Sequence, residues 1–108
     1  MAKSSTLGYP RIGKHRELKR AVESYWAGKI DEAALQQAGR EVRQAAWAVQ
    51  QAAGIELIPC NDFSFYDQVL DAICLVGLIP PRFGPPGPAV SLSTYFAMAR
   101  GAPGIPAL

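Results

Sequence analysis

Only two short segments of this chain can be strands, and most of what lies between them has a helical period. Thr6-Leu7-Gly8-Tyr9-Pro10 and Ile55-Glu56-Leu57-Ile58-Pro59 are apolar and end at proline, and Gly54 bounds the second on its other side as well. From Arg16 the pattern changes. Leu18, Ala21, Val22, Tyr25 and Trp26 fall at i, i+3, i+4, i+7 and i+8, one face of a helix, with Gly28 suited to its C′ position. Asp31 can cap a second, longer helix reaching about Ala53, in which Leu35, Val42 and Val49 recur every seven residues. Ala38, Ala45 or Ala46, and Ala52 fill the same face, and Gly39 within the helix costs about 1 kcal/mol. A third helix follows Ser64 and Asp67, which have capping-box spacing, and turns Phe65, Val69, Leu70, Ile73 and Val76 inward before Gly77.

Residues 77–108 hold seven prolines and five glycines, a loop composition. One short helix interrupts it, Ser91 to Arg100, with Leu92, Tyr95, Phe96 and Ala99 on one side. Gly101 to Leu108 carries no capping or packing signal and reads as a loop cut in the middle.

The order strand, helix, helix, strand, helix, loop, helix is that of an α/β fold with a parallel sheet. Two parallel strands, however, do not make a sheet that can be covered on both faces. Either partner strands are missing, or the chain is a helical cluster with frayed edges. A length of 108 residues allows one small domain, not a closed eight-stranded α/β barrel of roughly 250 residues. With 49% hydrophobic and 19% charged residues the chain is not expected to be disordered. Its longest apolar run, Ala72 to Pro81, spans ten residues, short of the roughly 20 that a membrane helix needs. Met1 to Thr6 lack the apolar centre of a signal peptide. The expected compartment is the cytoplasm, with no membrane partner.

The net charge of +2 is unevenly spread. Residues 1–30 carry seven bases (Lys3, Arg11, Lys14, Arg16, Lys19, Arg20 and Lys29) against Glu17 and Glu23, while the rest of the chain is net acidic. This asymmetry suits a front segment that meets an anion, and it equally suits a solvated helix face. A nucleic acid is the weaker candidate anion: Tyr25 and Trp26, which could stack on bases, fall on the apolar helix face. Cys60 and Cys74 are too few for a disulfide framework or a zinc quartet; Cys74 reads as a small core residue. His15, the sole histidine, reads as solvent-facing.

Six blocks carry a resemblance. They are Leu7-Gly8-Tyr9-Pro10-Arg11-Ile12-Gly13; Arg16-Glu17-Leu18-Lys19; Glu23-Ser24-Tyr25-Trp26-Ala27-Gly28; Ala53-Gly54-Ile55-Glu56-Leu57-Ile58-Pro59; Asn61 to Leu70; and Tyr95-Phe96-Ala97-Met98-Ala99-Arg100-Gly101. In order and spacing they resemble the opening of the cobalamin-independent methionine synthases, from about Thr6 to Gly101. The resemblance implies the first strand–helix units of a (β/α)₈ (TIM) barrel, mostly helical within this chain. Residues 1–108 would be the incomplete N-terminal part of the first, folate-side barrel of a cytoplasmic enzyme that is monomeric when full-length.

That enzyme moves the methyl group of 5-methyltetrahydropteroyltriglutamate to homocysteine. Its zinc, which would lower the pKa of the substrate thiol, has ligands that lie beyond position 108. Neither Cys60 nor Cys74 is therefore assigned to metal, and the segment alone is expected to be inactive.

The resemblance also implies the folate contact. In the family the stretch matching Arg16, Glu17, Leu18 and Lys19 helps hold the folate and its glutamate tail. The residue types suit the task, because a helix start presents free N–H groups and the positive end of its dipole to an anion. Arg16 and Lys19, three residues apart, add charge on one face. Ordinary exposed charges would look the same, and Leu18 is expected to pack, offering at most its backbone. Arg11, Asn61, Asp62 and Ser64 sit where strands lead into loops, the position of barrel active sites, although Asp62 could equally cap a helix. The loop Gly84-Pro85-Pro86-Gly87-Pro88 falls in a variable connection. A free-standing anion- or polyglutamate-binding module without catalysis is the competing expectation.

Overall fold

The computed structural model of the chain describes residues 1–85 and 87–108; Pro86, in the proline loop, lies outside the described residues. The chain forms two compact units, Met1–Phe65 and Tyr66–Leu108.

The first unit is built on α1 (Glu17–Trp26) and α2 (Glu32–Ala52), which pack on each other. Leu18, Val22 and Leu35 supply the buried apolar side chains, each worth about 1.5–3 kcal/mol relative to exposure. Asp31 caps α2 as its sequence suggests, its carboxylate accepting the Ala34 N–H at 2.8 Å.

The seven-residue stripe of α2 holds only at its start. Leu35 is buried, Val42 is half-buried and Val49 is 51% exposed. The last buried position of this helix is polar instead. Gln50 donates to the Ala46 carbonyl at 3.1 Å and accepts the Thr6 hydroxyl at 2.6 Å, tying the N-terminal segment to the end of α2.

Neither expected strand forms, and among the described residues the chain is mostly helical, with no strand. Where Thr6–Pro10 and Ile55–Pro59 were expected to pair, the backbone makes a single parallel bridge between Ser5 and Leu57. The Leu57 N–H donates to the Ser4 carbonyl at 2.9 Å. The Ser4 hydroxyl accepts the Glu56 N–H at 3.0 Å and donates to the Gly54 carbonyl at 3.3 Å. The physical reason is the one the sequence raises: without a third strand to pair and a layer to cover them, Leu7 and Leu57 stay exposed and a ladder has nothing to bury.

The second unit pairs α3 (Gln68–Val76) with α4 (Leu92–Arg100), and a 3₁₀ turn at Pro81–Phe83 touches α4. Asp67, not Ser64, caps α3, its carboxylate accepting the Leu70 N–H at 2.7 Å. Of the side chains expected inward on α3, Leu70 is buried, but Val69 and Val76 are 71% and 64% exposed. Apolar residues fill most of this helix, more than its contact with α4 buries, and Leu75 too stays in water. Cys74 is half-buried rather than core; burial, aided by Asp71, pushes its thiol pKa up.

On α4, Ser91 is the cap, and Tyr95, Phe96 and Met98 are buried. The Tyr95 hydroxyl donates to Asp71 at 2.6 Å and accepts the Tyr66 N–H at 3.0 Å, which fixes the start of the unit on α4. The tail after α4, which carries no packing signal in its sequence, is held down. Ala102 to Ile105 closes a turn, the Leu108 N–H donates to the Met98 carbonyl at 3.0 Å, and Arg82 donates to the carbonyls of Pro106 and Ala107.

Candidate anion-binding site

Four exposed bases, Lys14, Arg16, Lys19 and Arg20, lie in or beside the turn that opens α1. Gly13 has φ +87°, and the Arg16 N–H donates to its carbonyl at 3.3 Å, so the chain doubles back before the helix. Arg16 occupies the N-cap with φ 61° and ψ 36°, the left-handed region, and is the only non-glycine residue there among those described. An L-residue costs roughly 1–2 kcal/mol in that conformation. Arg16 and Lys19 are exposed, and Lys19 lies 3.7 Å from Glu23, one turn on, in a solvent-screened pair.

Leu18 between them is core, 1% exposed, and its N–H is taken by the Ile12 carbonyl at 3.1 Å. It has no free N–H to offer a ligand.

Glu17 departs most from expectation. Its carboxylate folds back over the turn and accepts the His15 N–H at 2.9 Å. A bond from its own backbone N–H and the one from His15, with the Arg20 charge nearby, hold its pKa below the usual carboxylate value. The donors at the start of α1 are therefore partly occupied from within the chain. His15 itself is exposed, and its carbonyl accepts from the Arg20 guanidinium.

The second group of candidates divides. Arg11, Asp62 and Ser64 come together in the first unit. Arg11 donates to the Ser64 carbonyl at 3.2 Å, and Asp62 accepts the Tyr9 N–H at 2.9 Å. Asp62 lies so close to Gly8 that a Cβ there would meet its carboxylate at 2.9 Å. These bonds anchor the segment leading into the basic turn. Asp62 caps no helix. Asn61 is exposed beside the exposed Cys60, and the Ser64 hydroxyl is buried without a hydrogen-bond partner. Nearby, Arg43 stacks over Phe63 at 4.8 Å, and Phe63 meets Phe65 edge-on at 5.2 Å.

Sequence reasoning missed Gly13 and Arg20, which shape the turn. The signal available for Gly13 was a glycine two residues after Arg11 in an otherwise basic loop. Among the described residues no three His, Cys, Asp or Glu side chains come together as a metal cluster. No helix among them is long and apolar enough to cross a membrane.

Comparison with known proteins agrees with the residue blocks. The chain is 56% identical over 101 residues to a 5-methyltetrahydropteroyltriglutamate–homocysteine methyltransferase of Salinibacter ruber, which covers 94% of this chain and 13% of that protein. Proteins of the same name from Acidiphilium cryptum and Bradyrhizobium diazoefficiens are 52% identical over 114 residues and 58% over 97. They cover 100% and 90% of this chain, and 15% and 12% of their own lengths. The chain thus spans only about an eighth of the length of these relatives. Residues 3–108 match the family described as cobalamin-independent synthase, N-terminal domain, and the chain belongs to that family.

Proposed function

We propose that this chain opens the folate-side (β/α)₈ barrel of a cytoplasmic methyltransferase. The enzyme would move the methyl group of 5-methyltetrahydropteroyltriglutamate to homocysteine, and this segment would bind the glutamate tail. The observation that carries the reading is the turn before α1, where Arg16 and Lys19 stand exposed on either side of the buried Leu18. Leu18 anchors the backbone in the core, so the two cations project from a fixed base toward carboxylates. Lys19 exchanges its solvent-screened pairing with Glu23 for a tail carboxylate.

Arg11 and Asp62 serve the site indirectly, by tying the Tyr9–Arg11 segment to the Asp62–Ser64 loop. Asn61 remains a candidate to line its rim. No step of methyl transfer and no metal is assigned to these residues, and the chain by itself is expected to make no methionine.

The test is a chimera in which residues 1–108 replace the matching segment of the Salinibacter ruber relative. Replacing Arg16 and Lys19 together by alanine should raise the KM for methylfolate triglutamate about tenfold or more if the contacts are well made, since charge-assisted bonds contribute roughly 1.5–3 kcal/mol. The monoglutamate should suffer less, and the KM for homocysteine should be unchanged. Equal losses for mono- and triglutamate would refute reading of the tail.

A further inference from the structure

We propose that Glu17 is a positioning residue for Arg16: its carboxylate braces the turn Gly13–Arg16 from inside and so presents the guanidinium, without itself meeting the ligand. The inference rests on Arg16 being an anion contact.

Three observations support it. First, the carboxylate bridges back across Arg16 to the His15 N–H at 2.9 Å, while the Arg20 guanidinium takes the His15 carbonyl. The residue preceding Arg16 is thus pinned through both of its backbone polar groups. Second, the carboxylate lies against bare backbone at Gly13, where a Cβ would stand 2.1 Å from Glu17 Oε2. At φ +87° glycine is also the residue the backbone favours there, so position 13 is left open both in conformation and in space. Third, Arg16 holds a left-handed conformation that persists only where its surroundings over-determine it. The Gly13 carbonyl, the Arg20 N–H at 3.1 Å from the Arg16 carbonyl, and the Glu17 brace are those surroundings. A carboxylate is a poor direct partner for an anionic tail, and this one is already engaged within the turn, amid Lys14, His15, Arg16, Lys19 and Arg20. Its value to the site lies in fixing the direction of its neighbour.

The experiment uses the same chimera, with kcat and the KM for methylfolate triglutamate and homocysteine measured for each variant. Glu17→Ala should raise the triglutamate KM by about as much as Arg16→Ala, leaving kcat and the homocysteine KM within about twofold. Glu17→Gln should retain most of the affinity, because its amide oxygen accepts the same N–H. Gly13→Ala, which keeps every charge but takes the carboxylate's seat, should reproduce Glu17→Ala. In the Arg16→Ala background, Glu17→Ala should add almost nothing, which a general loss of stability would not reproduce.

Full additivity of the two changes, or equal damage from Gln and Ala, overturns the proposal. So does a lowered KM in both Glu17 variants, which would make Glu17 a competitor for the seat. If Arg16→Ala raises the KM and Glu17→Ala does not, only this inference falls; if Arg16→Ala is silent, the anion reading falls with it. In the 108-residue chain, Glu17→Ala should speed amide exchange at His15 about tenfold or more, independent of catalysis; unchanged exchange also overturns the brace.

Discussion

Gly39 is the residue whose replacement best tests how the first unit is packed. It lies inside α2 and is buried, with ordinary helical geometry, so helix propensity alone favours alanine there by about 1 kcal/mol. Packing opposes it. A Cβ at position 39 would stand 2.9 Å from Phe65 Cζ, 3.0 Å from Phe65 Cε1 and 3.4 Å from Phe63 Cζ. To admit it the Phe65 ring must shift against its edge-on contact with Phe63, over which Arg43 lies. Overpacking of this kind costs roughly 1–3 kcal/mol. The balance is a net destabilisation of about 0–2 kcal/mol for Gly39→Ala, against a gain of about 1 kcal/mol if the ring were absent. Urea unfolding of the chain, followed by circular dichroism at 222 nm (roughly the α-helix band), measures the difference. Gly39→Ala in a Phe65→Leu background should be less costly than in the parent. Stabilisation by the full propensity gain in the parent chain would refute the close contact between α2 and Phe65.

Ser64→Ala should leave stability unchanged or raise it by up to about 1 kcal/mol, because the change removes a buried hydroxyl that has no partner; a urea midpoint lower than the parent's would show an unseen bond. Tyr95 is protonated in the fold well above its usual pKa, because burial and the bond to Asp71 oppose the phenolate. The stability this contributes is complete below about pH 10 and falls as the pH rises above it, where the unfolded phenol ionises. Tyr95→Phe should flatten that alkaline slope and cost about 1–3 kcal/mol at neutral pH through the lost bonds to Tyr66 and Asp71. Glu17 has the opposite sign: its pKa is depressed, so its brace is complete above about pH 4.5 and is lost as the pH falls through its folded value. His15 amide exchange, corrected for its intrinsic pH dependence, should accelerate across that acid range, and Glu17→Gln should abolish the dependence.

The helices were legible because their signals are local. Asp31, Asp67 and Ser91 precede apolar periods, and each accepts the N–H three residues on. What each helix buries was less legible, because burial depends on the neighbour. The period of α3 is satisfied by Leu70, but Val69 and Val76 stay in water. The strands failed for the same reason in stronger form. Ile55–Pro59 has every local mark of a strand, yet a strand is defined by what pairs with it, and here one bridge to Ser5 is all the described chain supplies.

The site divides along the same line. That Arg16 and Lys19 are exposed cations at a helix start follows from charge and period. That Glu17 turns back on its own helix does not, because a Glu in the first turn reads only as a favourable charge near the dipole. The difference is made four residues earlier, at Gly13, whose missing side chain leaves room for the carboxylate. A pattern that counts charges assigns Glu17 to the ligand's surroundings; the space at Gly13 assigns it to the protein's own backbone. Gly39 makes the same point in the core. Read along the chain it is a weak residue in a helix, and read across the fold it is the gap into which Phe65 fits. In both places the informative residue is the one with no side chain, and its meaning depends on a partner distant or folded back in sequence.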